Sequence, residues 1–282
     1  MRRIVVAFAS LVLVLSACTS NNTESAQPSS SASGADACAK DSLNLIKPGQ
    51  LTVGTDNPSY PPWIVANTPE NGKGFEGSLA YAVADRLGFA KDEVRWVDVP
   101  FNSAGTAGPK NFDFDINNIT VTPERATVVT FSDGYYDLSQ ALVTMADSPL
   151  ASATTLADLK GYKYGAQIGT TSLTFIAQTI APGPQPAVYD TTNDAKQALV
   201  NGQVDGLILD LPTAYYVSSV QIPGSKLVGQ FEPQEYLGML FEKDNPLVTC
   251  VNEALAGLKA DGTLETLQQK WLADYLSVPV IK

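Results

Sequence analysis

Hydrophobic positions along the chain repeat with two spacings. Apolar runs at residues 51–54, 94–99, 128–131, 139–145, 207–209, 226–231 and 236–241 read as strands. Residues 112–116 alternate Phe, Asp, Phe, Asp and Ile, the pattern of a strand with one buried face. Stretches of helical spacing lie between them. Residues 75–87 carry Leu79, Ala82, Val83 and Leu87 and stop at Gly88, a helix with its C-terminal glycine. Residues 172–180, 194–200, 245–260 and 263–275 read as further helices, the last two amphipathic. Strand–helix alternation of this kind predicts an α/β fold in two lobes, with the chain crossing between them twice.

The N-terminus follows neither spacing. Met1-Arg2-Arg3 precedes an apolar run, residues 4–15, that is too short to cross a bilayer as a helix, and small residues follow it. Residues 1–17 therefore read as a signal peptide. Leu15-Ser16-Ala17-Cys18 resembles a lipoprotein box, which predicts cleavage before Cys18 and lipidation of its thiol; a chance cysteine after an ordinary signal peptide is the alternative. Two or three acyl chains suffice for stable anchoring. Residues 19–37 are mostly Ser, Thr, Asn, Gln, Ala and Gly, a flexible tether whose ends lie about 25 Å apart as a random coil.

Charge and cysteine content narrow the classes. The net charge is −11, and losing residues 1–17 removes two of the 18 basic residues and no acidic one. Such a balance argues against nucleic acid or an anionic lipid surface as partner, so contact with the membrane is expected through the lipid anchor alone. Histidine is absent, which excludes a Ser-His-Asp or Cys-His catalytic pair and any histidine-based metal site. Once Cys18 is acylated, Cys38 and Cys250 are the remaining thiols. Outside the membrane they are expected to form a disulfide.

The chemistry concentrates in residues 112–136. A strand ends in Asn117, Asn118 and Thr120, and Thr122-Pro123-Glu124-Arg125 follows, with Thr122 able to cap a short helix and Pro123 at its first position. Small hydroxyl and amide side chains beside an arginine at a helix start can hold a small anion, a carboxylate above all. The order Ile119-Thr120-x-Thr122-x-Glu124-Arg125, then Phe131-Ser132-x-x-Tyr135-Tyr136, resembles the signature of the family 3 extracellular solute-binding proteins, the polar amino-acid receptors of ABC importers. Leu156-x-Asp158-Leu159-Lys160-Gly161, Asn201-Gly202-x-x-Asp205-Gly206-x-x-x-Asp210 and Asp261-Gly262-Thr263-Leu264 resemble further segments of that family in its order.

The resemblance implies a type II periplasmic-binding-protein-like fold with a double-crossing hinge: lobe 1 over residues 38–137 and 236–282, lobe 2 over 138–235. It also implies roles. Arg125 takes an α-carboxylate, helped by Thr120 and by Thr170 and Thr171 from the opposite lobe, while Asp210 takes the α-ammonium and Asn118 contributes nearby. Tyr60 lies over the ligand side chain and Asp56 meets it, which favours an amide or a cation over an acid. Phe101 stands roughly where a second aromatic is expected, with residues 102–111 read as a Gly/Pro loop. Leu267 and Trp271 read as core, Trp63 equally as lobe core or as a second aromatic beside Tyr60, and Glu76 and Ser78, where the family has aspartates, as surface variation.

The expected function is capture of a polar amino acid, glutamine-like or basic, between closing lobes for delivery to an ABC permease, by a monomer anchored outside the cytoplasm to the cell membrane. No cofactor, metal or catalytic residue is expected. The alternatives are an extracytoplasmic enzyme on the same fold, similar to a cyclohexadienyl dehydratase, and a ligand sensor for a membrane receptor.

Overall fold

The computed structural model describes residues 37–275 and 277–282, so the expected signal peptide, Cys18 and nearly all of the tether lie outside the described residues. In the first lobe, β1 (Leu51–Thr55) is buried along its whole length, as suits a strand covered on both faces. It pairs in parallel with β2 (Val94–Asp98) and β3 (Phe114–Asp115). The order is completed by β12 (Leu240–Phe241), antiparallel to β3, and β4 (Thr130–Phe131). Helix α1 (Phe75–Arg86) turns Phe75, Leu79, Ala80 and Val83 inward and packs with α7 (Leu247–Ala260) and α8 (Thr263–Leu272).

The second lobe carries β6 (Gln140–Met145), β7 (Tyr164–Gln167), β8 (Ala187–Tyr189), β9 (Gly206–Asp210) and β10 (Ser225–Gln230), in the order β10-β6-β9-β7-β8. β7 runs parallel to β8 and β9, and β6 antiparallel to β9 and β10. Helices α4 (Thr171–Phe175), α5 (Thr192–Val200) and α6 (Leu211–Tyr216) follow strands of this sheet. Two short strands cross between the lobes as an antiparallel pair, β5 (Tyr136–Leu138) with β11 (Glu235–Leu237). This is the two-lobe α/β architecture with a double crossing that the alternation predicts.

Several boundaries differ from expectation. The single strand expected at 236–241 is two, because the chain leaves β5 at Leu237 and joins β3 and β4 at Leu240. The helix expected at 172–180 is α-helical to Phe175 and then widens to π spacing, ending at Ala181 with φ +44°. The loop expected at 102–111 begins with a helical turn, α2 (Phe101–Ala104). The C-terminal tail does not stay on lobe 1. Ile281 is buried beside Val228 and Phe231 of lobe 2, and residues 279–282 hydrogen-bond to Gln230, Thr154 and Leu156, covering the open edge of β10.

Cys38 and Cys250 are joined, with 1.98 Å between sulfurs and a separation of 212 residues. The bond fixes the start of the folded body to α7, and the chain-entropy model gives an upper value of about 5 kcal/mol for such a loop. Among the described residues no helix is long and apolar enough to cross a membrane.

Candidate functional site

The C-terminal ends of β1, β7 and β9 face a cavity of about 210 Å³ between the lobes, at the edge where open α/β sheets bind ligands. Arg125 reaches it from α3 (Pro123–Ala126). Thr122 caps this turn by accepting from the Arg125 N–H at 3.2 Å, and Pro123 stands at its start, as the sequence predicts. The guanidinium spans both lobes: Nη1 donates to the Thr120 carbonyl (2.6 Å) and Nη2 to the Gly169 carbonyl (2.8 Å). Its carbon lies 5.6 Å from the centre of the Phe101 ring. Burial holds Arg125 below the usual guanidinium range, with Asp210 and Glu235 pulling the other way. Two of its five N–H donors serve the main chain, which leaves three for an anion.

Acids form the rest of the wall. Asp210 ends β9, and its carboxylate accepts from Gln140 Nε2 at 2.8 Å. Burial raises it to about 7, with Glu235 adding to the rise. Glu76, in the first turn of α1, is 1 % exposed; it accepts from Asn118 N–H (2.8 Å), Asn118 Nδ2 (2.6 Å) and the Tyr135 hydroxyl. Burial raises it also to about 7, against those hydrogen bonds. Asp56 is raised by burial as well. Behind this wall Asp115 is fully buried with neither carboxylate oxygen hydrogen-bonded, and its carboxyl is pushed well up by burial and by Glu76 and Asp56. Among lining residues, one cation thus faces three carboxyl groups. No His, Cys, Asp and Glu cluster among the described residues could hold a metal ion.

The remaining expected residues also line the cavity. Asn118 sits at φ +50°, in the left-handed region that Asn tolerates, and both its main-chain N–H and its side-chain amide donate to Glu76. Thr170 caps α4, donating to the Gln167 carbonyl and accepting from Leu173 N–H. Thr120 and Thr171, one from each lobe, meet at 3.4 Å and both donate to Glu235 Oε2. Tyr60 turns its ring to Lys196 (4.7 Å), and its hydroxyl meets Asn193 across the cleft. Trp63 is core, 3 % exposed, yet its Nε1 donates to Thr213 of the other lobe at 3.0 Å. Asn102 likewise spans the cleft to the Asp190 carbonyl and to Gln167. The lobes are closed upon the cavity through these side chains.

Three residues escape sequence reasoning. Glu76 is not surface variation: its position on the first turn of an amphipathic helix looks solvated, and only the fold brings Asn118 and Tyr135 to it. Ser78 is not free surface either, since its hydroxyl accepts from Trp271 Nε1 and donates to the Gly72 carbonyl. Glu235 is the third, an acid on the crossing strand whose role depends on contacts 64 and 115 residues away.

Residues 51–274 match the family model for bacterial extracellular solute-binding proteins, family 3. The chain is similar to the arginine-binding extracellular protein ArtP of Bacillus subtilis (strain 168), 30% identical over 207 residues, 72% of this chain and 78% of that one. Among solved structures it is similar to an ancestral arginine-binding protein bound to glutamine (33% identity, TM-score 0.67, 79% of this chain and 98% of that one). It also resembles the ancestral amino acid-binding protein AncCDT-1, a precursor of cyclohexadienyl dehydratase (30% identity, TM-score 0.64, 79% and 95%).

Proposed function

This chain belongs to the family 3 bacterial extracellular solute-binding proteins, and we propose that its solute is a basic L-amino acid, arginine foremost, held between the closed lobes for delivery to an ABC permease. The observation that carries this reading is the wall of three carboxyl groups, Asp56, Glu76 and Asp210, around a single guanidinium. Arg125 balances the α-carboxylate and Asp210 the α-ammonium. Asp56 and Glu76 then remain for the side chain, and a cation there offsets charge that a neutral amide leaves unmatched and an acid worsens. The arginine-binding relatives support the same choice.

A thermal-shift screen of the twenty amino acids tests it. A ligand at a hundredfold over its dissociation constant adds about 2.7 kcal/mol. Arginine and lysine are expected to give the largest shifts, glutamine less and glutamate none. A shift with glutamate alone, or with no amino acid, would overturn the reading.

Anchoring through acylated Cys18 and a monomeric state belong to the same proposal. Cys18→Ala should move the protein from the membrane fraction to the medium.

Glu76 favours a second reading. It is lifted to about 7 inside the cleft, the property a general acid near neutrality needs, and AncCDT-1 is described as the precursor of a dehydratase. Recovering the bound solute unchanged after long incubation supports the receptor, and a dehydrated product the enzyme.

A further inference from the structure

The two crossing strands carry a polar network that touches both walls of the cavity. Glu235, on β11, accepts at Oε2 from Thr171 Oγ1 (2.8 Å), Thr120 Oγ1 (3.2 Å) and Gln140 Nε2 (3.2 Å). Thr120 belongs to lobe 1, Thr171 to lobe 2, and Gln140 opens β6 just past the first crossing. Gln140 passes the network on, donating also to Asp210 Oδ1 and accepting from Ser172 Oγ at 2.7 Å. Glu235 is not among the residues lining the cavity, whereas Thr120 and Thr171 are. The carboxylate therefore stands behind the two hydroxyls.

A threonine hydroxyl has one proton and two lone pairs. Both protons here are held between the two hydroxyls and the Glu235 carboxylate, which is acceptor-only when ionised. What the two hydroxyls leave for the cavity is lone pairs. They suit a donor and repel a carboxylate oxygen. We propose that Glu235 is a positioning residue: it takes the hydroxyl protons of one threonine from each lobe, so that the Thr120 and Thr171 hydroxyls face the solute's α-ammonium as acceptors, and it ties the lobes together in doing so. The two hydroxyls then take no part in holding the solute carboxylate. The inference rests on the reading of the cleft as a basic amino-acid site for its choice of probes, and on the geometry alone for the tie between lobes.

Titration calorimetry tests the polarity with three probes: L-arginine, its decarboxylated amine agmatine, and its des-amino acid, which keeps the carboxylate and lacks the α-ammonium. Thr171→Val removes a lone pair facing the solute. Agmatine should weaken by about tenfold, the effect of one hydrogen bond to a charged group, while the des-amino acid is unchanged. Glu235→Gln frees a hydroxyl proton, so the des-amino acid should gain relative to agmatine. Loss of the des-amino acid in Thr171→Val with agmatine unchanged, or an equal loss of all three probes in both variants, would overturn the proposal.

If none of the probes binds the wild-type protein, the basic amino-acid reading falls. Small-angle scattering of the solute-free mature protein then decides the tie. Glu235→Ala should raise the radius of gyration by opening the lobes, and an unchanged radius would overturn it.

Discussion

Two corners of the cleft are built in opposite ways. At the cationic corner, Arg125 is fixed mostly by what lies within a few residues of it: the Thr122 cap, the Pro123 start and the Thr120 carbonyl, with Gly169 and the Phe101 ring coming from afar. At the acidic corner, Glu76 is fixed by Asn118 and Tyr135, 42 and 59 residues away. The first corner has a cation with donors to spare. The second has carboxyl groups that burial holds near their titration point. A zwitterion with a cationic side chain relieves both, because it brings an anion to the fork and positive charge to the carboxyls.

The largest expected effect comes from breaking the cationic corner. Arg125→Ala leaves the solute carboxylate and two main-chain carbonyls without partners, a loss of roughly 2–5 kcal/mol, about thirtyfold to several thousandfold in affinity. Calorimetry with arginine should read it, with circular dichroism unchanged. Asp210→Asn should follow, at about thirtyfold or more, because the proposed site pairs Asp210 with the α-ammonium that every amino acid carries.

Glu76→Gln sharpens the comparison further, since the proposed site gives Glu76 to the solute side chain alone. Arginine should weaken by about tenfold while glutamine changes little. Equal losses for both would place Glu76 outside the side-chain subsite. The smallest effect is expected from Trp63→Phe, which removes the hydrogen bond to Thr213 across the cleft and should cost only a few-fold.

Acidity separates folding from binding. Glu76 and Asp210 stand at about 7 in the fold against 4.5 and 3.8 as free carboxyls. Between those limits the folded state binds more protons than the unfolded state. Stability from these groups is therefore complete below their unfolded values and lost as pH rises through 7. The empty protein should melt at higher temperature at pH 5.5 than at pH 8, the stability difference being about 2 kcal/mol per carboxyl. Affinity for arginine should move the other way and fall at pH 5.5, because protonated carboxyls no longer attract the cation. Parallel changes in melting temperature and affinity would refute the acidic wall.

The same contrast explains what could be read in the chain. The Thr122-Pro123-Glu124-Arg125 turn is local chemistry, so its cap and its arginine are legible from spacing. Asp210 is legible because an acid at the end of a buried strand must emerge at the sheet edge. The Cys38–Cys250 pair follows from elimination. Glu76 is not legible, because a glutamate in the first turn of a helix is stable in water too, and only distant packing removes the water. Glu235 sits in Pro233-Gln234-Glu235-Tyr236, a polar run that reads as a solvated connection until the crossing strands bring Thr120 and Thr171 together. The tail is hidden for a related reason: Ile281 finds its pocket on lobe 2, which no local pattern encodes.

The most direct test of the account is calorimetry of L-arginine binding at pH 7 in two buffers of different ionisation enthalpy. Two carboxyl groups near 7 are each about half protonated in the empty cleft, and an incoming cation holds them ionised. The account predicts binding with release of about one proton per arginine. Absence of binding, or binding with the same heat in both buffers, would contradict it.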